Sequence, residues 1–202
     1  MAEVYCAVIT IPERRAYCER TVSDLVAHGL SPDVLEMGPL PDASRNRFGR
    51  LYSLSGIGWN GRRACARALE VGADYALICE DDISLTRSFR DAVSGAMDLG
   101  HGIVSLYLSE ARFAPHRMLP GYRMLRRVPE WYGGQCLMLR RDVVEALPPH
   151  WPDHSALDIA VRNYAVATRT PIWCRLPSVV RHVCTCSTWR PHTRHSGVGV
   201  ET

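Results

Sequence analysis

The chain has 202 residues, of which 47% are hydrophobic, 8% aromatic and 22% charged. This length suits one domain with a substantial core, and the composition excludes disordered, collagen-like and low-complexity proteins. The net charge of +3 is uneven, because residues 1–111 hold 11 arginines against 15 acidic residues and residues 112–202 hold 13 against 6. The basic second half indicates an anionic partner.

The eight cysteines do not indicate a disulfide-linked secreted protein. Cys6, Cys79 and Cys136 each lie within an apolar run, where a free thiol packs as a small hydrophobic group. The first residues lack the basic and apolar stretches of a signal peptide, and no apolar run approaches the ~20 residues of a membrane helix. The sequence therefore predicts a cytoplasmic protein with reduced thiols and no membrane span.

The beginning of the chain predicts a strand, a helix and a second, short strand. Residues 4–9 are rich in β-forming types and stop before Pro12, which cannot continue a central strand. Apolar residues at helical spacing follow, with Gly29 at the end of the helix. A short strand is predicted at residues 34–37, within a turn-rich stretch.

The middle of the chain continues this alternation. A helix is predicted to begin at Asn60, as its cap, and to end before Gly72, and the apolar residues 75–79 predict a strand buried on both faces. One more helix and two more strands are predicted at residues 87–99, 103–108 and 135–139. The alternation indicates an α/β fold whose mostly parallel sheet is flanked by helices. Ligands of such sheets bind beyond the carboxyl ends of the strands.

Three consecutive carboxylates, Glu80, Asp81 and Asp82, directly follow the predicted strand 75–79. Acidic side chains at the mouth of a buried strand repel one another and lose hydration, so they need a compensating cation. Carboxylate oxygens are hard ligands that suit Mg²⁺ or Mn²⁺. A solvated acidic turn is the structural alternative, but the apolar strand before the triplet favours a metal site.

Six short segments occur in a characteristic order along the chain. They read VITIP at residues 8–12, GWN at 58–60, YALICEDDI at 75–83, WYGGQCLM at 131–138, LDIA at 157–160 and LPSVVRH at 176–182. In this order they resemble the nucleotide-sugar-dependent glycosyltransferases of the GT-A fold, both the lipopolysaccharide-type enzymes and small phage or bacterial ones. The resemblance implies a single Rossmann-like domain over residues 1–202, with a nucleotide-sugar-binding half at 1–110 and an acceptor-binding half at 111–202.

The resemblance also implies a metal site and a donor site. Asp82 and the late His182 would hold Mn²⁺ or Mg²⁺ against the diphosphate of the donor, which is a UDP-sugar in much of the family. The residues that would bind the donor are Thr10, Pro12, Arg14, Arg15, Asn60, Arg63, Glu80 and Asp81. A solvated helix start is the alternative for the two consecutive arginines, and a plain helix cap is the alternative for Asn60. Cys184 stands where the family usually has glycine, which leaves the local loop shape open.

Asp158 stands near a predicted helix start, where the resemblance places the catalytic carboxylate that accepts the proton of the attacking hydroxyl. Asp153 is the alternative base, and helix capping is the structural alternative for either residue. A floor under the donor sugar and the acceptor would come from four consecutive residues, Trp131, Tyr132, Gly133 and Gly134. A core aromatic followed by a strand bulge explains the same residues structurally.

Residues 112–127 carry five arginines, interleaved with aromatic residues, and no acidic residue. Arginine beside aromatic rings can bind phosphates and stack on an extruded base. Small phage enzymes of the resembled kind glycosylate hydroxymethylpyrimidines, so the favoured acceptor is 5-hydroxymethylcytosine in DNA, bound by Arg123, Arg126 and Arg127. A surface glycan or lipopolysaccharide core would use the same arginines, and a solvated basic face would need neither acceptor.

A nucleic-acid-binding protein without catalytic activity is the hypothesis of another class. Its zinc knuckle would use His182, Cys184, Cys186, His192 and His195. However, the Cys-x-Cys spacing is irregular for zinc, and a second cysteine pair is absent from this segment. A nucleotidyltransferase would also use the acidic triplet, but it does not account for the late histidine.

Overall fold

The computed structural model describes residues 2–36, 54–114, 120–151 and 155–183. The helices are α1 (Arg15–Ala27), α2 (Leu54–Glu70), α3 (Phe89–Asp98), α4 (Arg141–Ala146) and α5 (Leu157–Thr168). The strands are β1 (Val4–Thr10), β2 (Pro32–Glu36), β3 (Tyr75–Glu80), β4 (Ile83–Leu85), β5 (Ile103–Ser105), β6 (Gly121–Met124), β7 (Cys136–Arg140), β8 (Trp173–Leu176) and β9 (Val180–His182).

The main sheet has the strand order β2-β1-β3-β7-β5-β8-β6. Strands β2, β1, β3, β5 and β8 run in one direction, whereas β7 and β6 run antiparallel to their neighbours. The predicted α/β fold with a mostly parallel sheet is therefore confirmed. Because β7 comes from the second half of the chain and lies between β3 and β5, both halves contribute to one continuous sheet.

Apolar cores lie on both faces of the sheet. Along β1, Tyr5, Ala7 and Ile9 enter the core shared with α2, α4 and α5, whereas Cys6 and Val8 enter the core shared with α1 and α3. A strand covered on both faces needs apolar residues at every position, which explains the uninterrupted apolar runs of β1 and β3. The helices therefore flank the sheet on both sides.

Two glycines end helices as the sequence predicts. Gly29 follows α1 with a φ of +79°, and Gly72 follows α2 with a φ of +77°. Glycine adopts these left-handed angles without the steric cost that a Cβ imposes.

The cysteines of the described ranges lie in the core. The described cysteines that are free are all buried: Cys6, Cys18, Cys65, Cys79, Cys136 and Cys174. Across the described ranges, no helix has the length and apolar character to cross a membrane.

Two elements depart from their predicted bounds by more than two residues. Helix α2 begins at Leu54, so Asn60 lies inside the helix and does not cap it. The side-chain amide of Asn60 donates instead to the carbonyl of Leu35 in β2, 2.9 Å away. Strand β5 ends at Ser105, short of its predicted end. Just beyond it the backbone bonds to side chains: the Ser105 hydroxyl donates to the carbonyl of Tyr107, and the Ser178 hydroxyl accepts the N–H of Leu108.

A separate two-stranded sheet of β4 and β9 holds the segment that follows the acidic triplet. Its register pairs Ile83 with His182. Thr21 of α1 packs beneath the triplet, and its buried hydroxyl lies 2.7 Å from the carbonyl oxygen of Asp81 and 2.9 Å from that of Ile83. Helix α1 and the small sheet together fix the turn that carries the acidic residues.

The replacement Thr21→Val should lower the free energy of unfolding by about 1–3 kcal/mol, because it removes the hydroxyl that satisfies buried carbonyls. Equilibrium denaturation followed by circular dichroism measures the change. Thr168→Val is the matched control, since the Thr168 hydroxyl donates to the Tyr164 carbonyl on an exposed helix end and its loss should cost less than about 0.5 kcal/mol. Equal effects of the two replacements would contradict the role given to Thr21.

Candidate functional site

The acidic residues lie at the carboxyl end of β3, on the edge of the sheet where the parallel strands end. One carboxylate oxygen each from Glu80 and Asp82 and a ring nitrogen of His182 all lie within 4.8 Å of one another. Asp81 is 2% exposed and Asp82 is 1% exposed, so the triplet is not a solvated turn. The structure thus brings together Asp82 and His182, the predicted metal ligands, and adds Glu80 to them.

Asp82 is the centre of this acidic cluster. Its Oδ2 lies 2.7 Å from Nε2 of His182 and also forms an ion pair with the guanidinium of Arg14. Its Oδ1 is buried and has no hydrogen-bond partner among the described residues. Because buried carboxylate oxygens are seldom left without a partner, this atom is available to a hydrogen-bond donor or a cation. Two carboxylates and an imidazole are a donor set that fits Mn²⁺ or Mg²⁺.

Asp81 is held by β1 and by the 3₁₀ helix Pro12–Arg14 that follows it. Its Oδ2 accepts a hydrogen bond from the Thr10 hydroxyl at 2.7 Å, and its Oδ1 lies 3.0 Å from Nη2 of Arg14. Thr10 and Asp81 are both buried. Thr10 and Asp81, both predicted to bind the donor, are therefore hydrogen-bonded to each other. Pro12 starts the turn that places Arg14 between Asp81 and Asp82.

Burial and mutual repulsion disfavour the charged forms of two acids in the cluster. Burial raises the pKa of Asp81 to about 6 against the opposing effect of Arg14, and burial with the charge of Asp82 raises the pKa of Glu80. Burial also raises the pKa of Asp82. The hydrogen bond and charge of His182, together with the charge of Arg14, have a larger opposite effect, so the pKa of Asp82 is lowered. A bound dication would relieve the repulsion that remains.

Asp158 lies beside the acidic cluster, in the first turn of α5. Its Oδ2 accepts the N–H of Gly133 at 3.1 Å, and its Oδ1 accepts the N–H of Ile159 at 2.9 Å. Burial raises the pKa of Asp158, and these two hydrogen bonds oppose the rise. A Cβ on Gly134 would lie 3.4 Å from Oε1 of Glu80 and 3.7 Å from Cβ of Asp158, so both acids border this glycine. Asp158 is thus close to the cluster and also anchors the loop before β7.

The aromatic pair before these glycines supports the site from within the core. Trp131 is 0% exposed, so its ring is a core aromatic, which was the structural alternative for this residue. A floor formed by the three residues after it stays a prediction. Tyr132 is half-buried and packs edge-to-face on Phe113, with 5.4 Å between the ring centroids. Gly133 has a φ of +154°, which L-residues with a side chain rarely adopt.

A cleft of about 360 Å³ adjoins the cluster between α1 and the ends of β1 and β2. Its lining residues are Thr10, Arg15, Cys18, Glu19, Val22, Val34 and Glu36. The exposed Arg15 pairs with Glu19 at 3.1 Å. Arg63 lies near the same end of β2, with its Nη1 3.4 Å from the carbonyl oxygen of Glu36. Asn60 is only 2% exposed, so Arg63 is the member of that predicted pair that can reach a ligand.

The three predicted acceptor-binding arginines differ in exposure. Arg126 and Arg127 are exposed and directly follow the edge strand β6. Arg127 lies 3.8 Å from Glu130. Arg123 is half-buried and donates to two nearby backbone carbonyls at 2.8 and 2.9 Å. Of these three arginines, Arg126 and Arg127 are therefore the exposed ones.

The alternative base and most of the predicted zinc ligands lie outside the described residues: Asp153, Cys184, Cys186, His192 and His195. The structure adds two residues that sequence reasoning missed. Thr21 is a polar residue on the buried stripe of α1, which was the available signal. Tyr107 lies in an apolar run beyond β5, with its ring centroid 6.4 Å from that of His182. Burial and the charges of Glu80 and Asp82 raise the pKa of Tyr107 to about 12.

No protein-family model matches this chain, and no curated protein matches it in sequence. Solved structures do match its fold. A197 from STIV gives a TM-score of 0.55 at 15% identity, over 97% of this chain and 96% of its own. TarS of S. aureus in complex with UDP-GlcNAc gives 0.57 at 13% identity over 88% of this chain, which spans 57% of that structure.

A Bacillus anthracis structure named as a glucose-1-phosphate thymidylyltransferase also matches. It gives a TM-score of 0.51 at 12% identity, over 89% of both chains. The chain therefore has the GT-A-like fold of glycosyltransferases and sugar-phosphate nucleotidyltransferases, which confirms the fold that the sequence resemblance implies.

The replacement Asp158→Asn should lower the free energy of unfolding by about 1–3 kcal/mol, because an amide has one oxygen for two backbone N–H donors. Chemical denaturation measures the loss. Asp98→Asn is the control, since Asp98 is exposed at the end of α3 and its replacement should change stability by less than about 0.5 kcal/mol. Wild-type stability of Asp158→Asn would show that Asp158 does not anchor the loop.

Proposed function

We propose that this protein is a metal-dependent glycosyltransferase that moves a sugar from a nucleotide-sugar, a UDP-sugar, to a hydroxyl acceptor. The observation that carries the proposal is the buried Asp82 carboxylate at the carboxyl edge of a GT-A-like sheet. One of its oxygens contacts His182, and the other has no partner among the described residues. The adjoining cleft has room for a nucleoside, and TarS, which shares the fold, is complexed with UDP-GlcNAc.

Asp82, His182 and Glu80 would hold Mn²⁺ or Mg²⁺. When bound, such a cation supplies positive charge that stabilises the nucleoside diphosphate leaving group. Arg14 keeps Asp81 and Asp82 in place through its two ion pairs, so the ligands are oriented before the donor arrives.

The remaining roles belong to residues around the cluster. Arg15 and Arg63 lie at the cleft, where a planar guanidinium can stack on a base or pair with a phosphate. In an inverting transfer, Asp158 accepts the proton of the acceptor hydroxyl. The hydroxyl oxygen bonds to the anomeric carbon while the bond from that carbon to the diphosphate breaks. Both Asp158 oxygens retain a lone pair beyond their backbone hydrogen bonds, and a raised pKa suits a base.

Nucleotidyl transfer to a sugar phosphate is the second candidate, because the Bacillus anthracis structure shares the fold. The contact between His182 and Asp82 favours sugar transfer, since a late histidine at the metal is a feature of the resembled glycosyltransferases.

Incubation with a panel of nucleotide-sugars, Mn²⁺ and 5-hydroxymethylcytosine DNA tests the proposal. We expect release of a nucleoside diphosphate and, by mass spectrometry, a nucleoside heavier by one sugar residue. Parallel reactions replace the DNA with lipopolysaccharide or oligosaccharide acceptors. Pyrophosphate release from a nucleoside triphosphate and a sugar phosphate would identify a nucleotidyltransferase instead. If neither a glycosylated acceptor nor pyrophosphate formed with any donor, both candidate functions would be refuted.

The replacement Asp82→Asn should abolish Mn²⁺ binding and reduce transfer by about 100-fold or more, because it removes a charged ligand from the centre of the cluster. Isothermal titration calorimetry and product assays measure the two effects. Asp142→Asn is the matched control, since Asp142 begins α4 at the opposite edge of the sheet and pairs with Arg140 at 2.7 Å. If Asp82→Asn retained Mn²⁺ affinity, the cation would have to bind elsewhere.

For the acceptor, we favour 5-hydroxymethylcytosine in DNA. The support is the exposed basic pair Arg126 and Arg127 beside the sheet edge, together with the positive second half of the chain. A surface glycan with phosphate groups would meet the same two guanidinium groups. The acceptor arms of the incubation therefore decide between DNA and glycan.

A double variant, Arg126→Gln with Arg127→Gln, should weaken DNA binding and flatten its dependence on salt, by a slope of about 0.9 for each DNA phosphate that the variant no longer neutralises. Fluorescence anisotropy at several NaCl concentrations measures both quantities. Arg67→Gln is the control, because Arg67 is exposed on α2 and pairs with Glu70 at 2.8 Å. An unchanged salt slope in the double variant would count against a DNA acceptor.

A further inference from the structure

Tyr107 carries a buried hydroxyl that faces the acidic cluster without a partner. The side chain is 1% exposed, and its hydroxyl makes no hydrogen bond to any described residue. Buried phenol groups ordinarily find a hydrogen-bond partner. Other tyrosines of this chain follow that rule: the Tyr5 hydroxyl donates to Asp33 at 3.0 Å, and the Tyr122 hydroxyl donates to the carbonyl of Ala92.

The surroundings of Tyr107 show what its partner must be. Its ring is tilted against the His182 ring. Burial and the negative charges of Glu80 and Asp82 raise the pKa of its hydroxyl. A phenol keeps its proton at neutral pH and so offers an O–H donor. The carboxylates beside it do not accept this hydrogen bond in the structure. Among the described residues, this donor is therefore available to an oxygen atom of a molecule that enters the cluster.

We propose that the Tyr107 hydroxyl is a ligand-binding group that donates a hydrogen bond to an oxygen of whatever the acidic cluster holds. That oxygen belongs either to water on the divalent cation or to a phosphate of the nucleotide. This inference rests on the proposed function. It assigns to the site a neutral donor that complements Arg14, which is already committed to Asp81 and Asp82.

The variant Tyr107→Phe tests the proposal because it removes the hydroxyl and keeps the ring. Without ligand, it should melt about 2–4 °C higher than wild type, since a buried hydroxyl without a partner costs stability. Binding of Mn²⁺ alone, measured by electron paramagnetic resonance, and binding of UDP at saturating Mn²⁺, measured by calorimetry, are the two further readouts. A Kd weakened about tenfold for Mn²⁺ alone identifies water as the acceptor, and weakening confined to UDP identifies phosphate.

Tyr5→Phe is the matched control, because its hydroxyl has a protein partner far along β1 from the cluster. It should lower the melting temperature and leave both Kd values unchanged. Unchanged Kd values in Tyr107→Phe, or a lower melting temperature without ligand, would overturn the inference. Failure of the wild-type protein to bind either probe would instead refute the proposed function, so the two failures are distinguishable.

Discussion

The site depends on one electrostatic constraint: carboxylates buried at the end of an apolar strand must be matched by positive charge. Asp81 and Asp82 are almost fully enclosed, and two further acids, Glu80 and Asp158, lie beside them with pKa values that burial raises. Desolvation of unpaired carboxylates costs several kcal/mol for each group, roughly as much as a small protein's net stability. Arg14 compensates part of the negative charge of Asp81 and Asp82 through its two ion pairs. The remaining acidic groups are the feature on which the proposed cation and donor site rests.

The fold meets this constraint by bringing distant segments to one edge of the sheet. The parallel strands end there, and β7 starts there because it runs the opposite way between β3 and β5. The loop before β7 consequently places the N–H of Gly133 against Asp158 and places Gly134 beside Glu80 and Asp158. The pairing of β4 with β9 brings His182 to Asp82. Antiparallel pairing is thus as important to the site as the parallel sheet that dominates the fold.

Local sequence was enough to find the features whose signal is local. The apolar strand β3, the acidic triplet after it, and the helix ends at Gly29 and Gly72 follow from residue type and spacing alone. The contact between Asp82 and His182 could be predicted only from the family resemblance, because local sequence carries no signal for a contact between remote segments. The fold class came from the alternation of strands and helices.

Features set by tertiary contacts were beyond local reasoning. Asn60 resembles a helix cap, but its amide bonds to Leu35 in the neighbouring strand, and the helix begins earlier. Trp131 resembles a binding platform, yet the core encloses it. The residues on either side of these two positions do not indicate that a remote segment packs over them. The buried, unpartnered hydroxyl of Tyr107 could not be predicted either, because an apolar run does not indicate which way a tyrosine ring points.

The contact between Asp82 and His182 joins residues that are 100 positions apart. On the ribosome, the acidic turn therefore emerges long before the imidazole that completes it. A nascent chain that stops before β9 has the carboxylates but lacks both the histidine and the strand that pairs with β4. Capture of the proposed cation must then await synthesis of β9, so that occupancy of the cluster reports the pairing of β9 with β4 rather than guiding an earlier folding step.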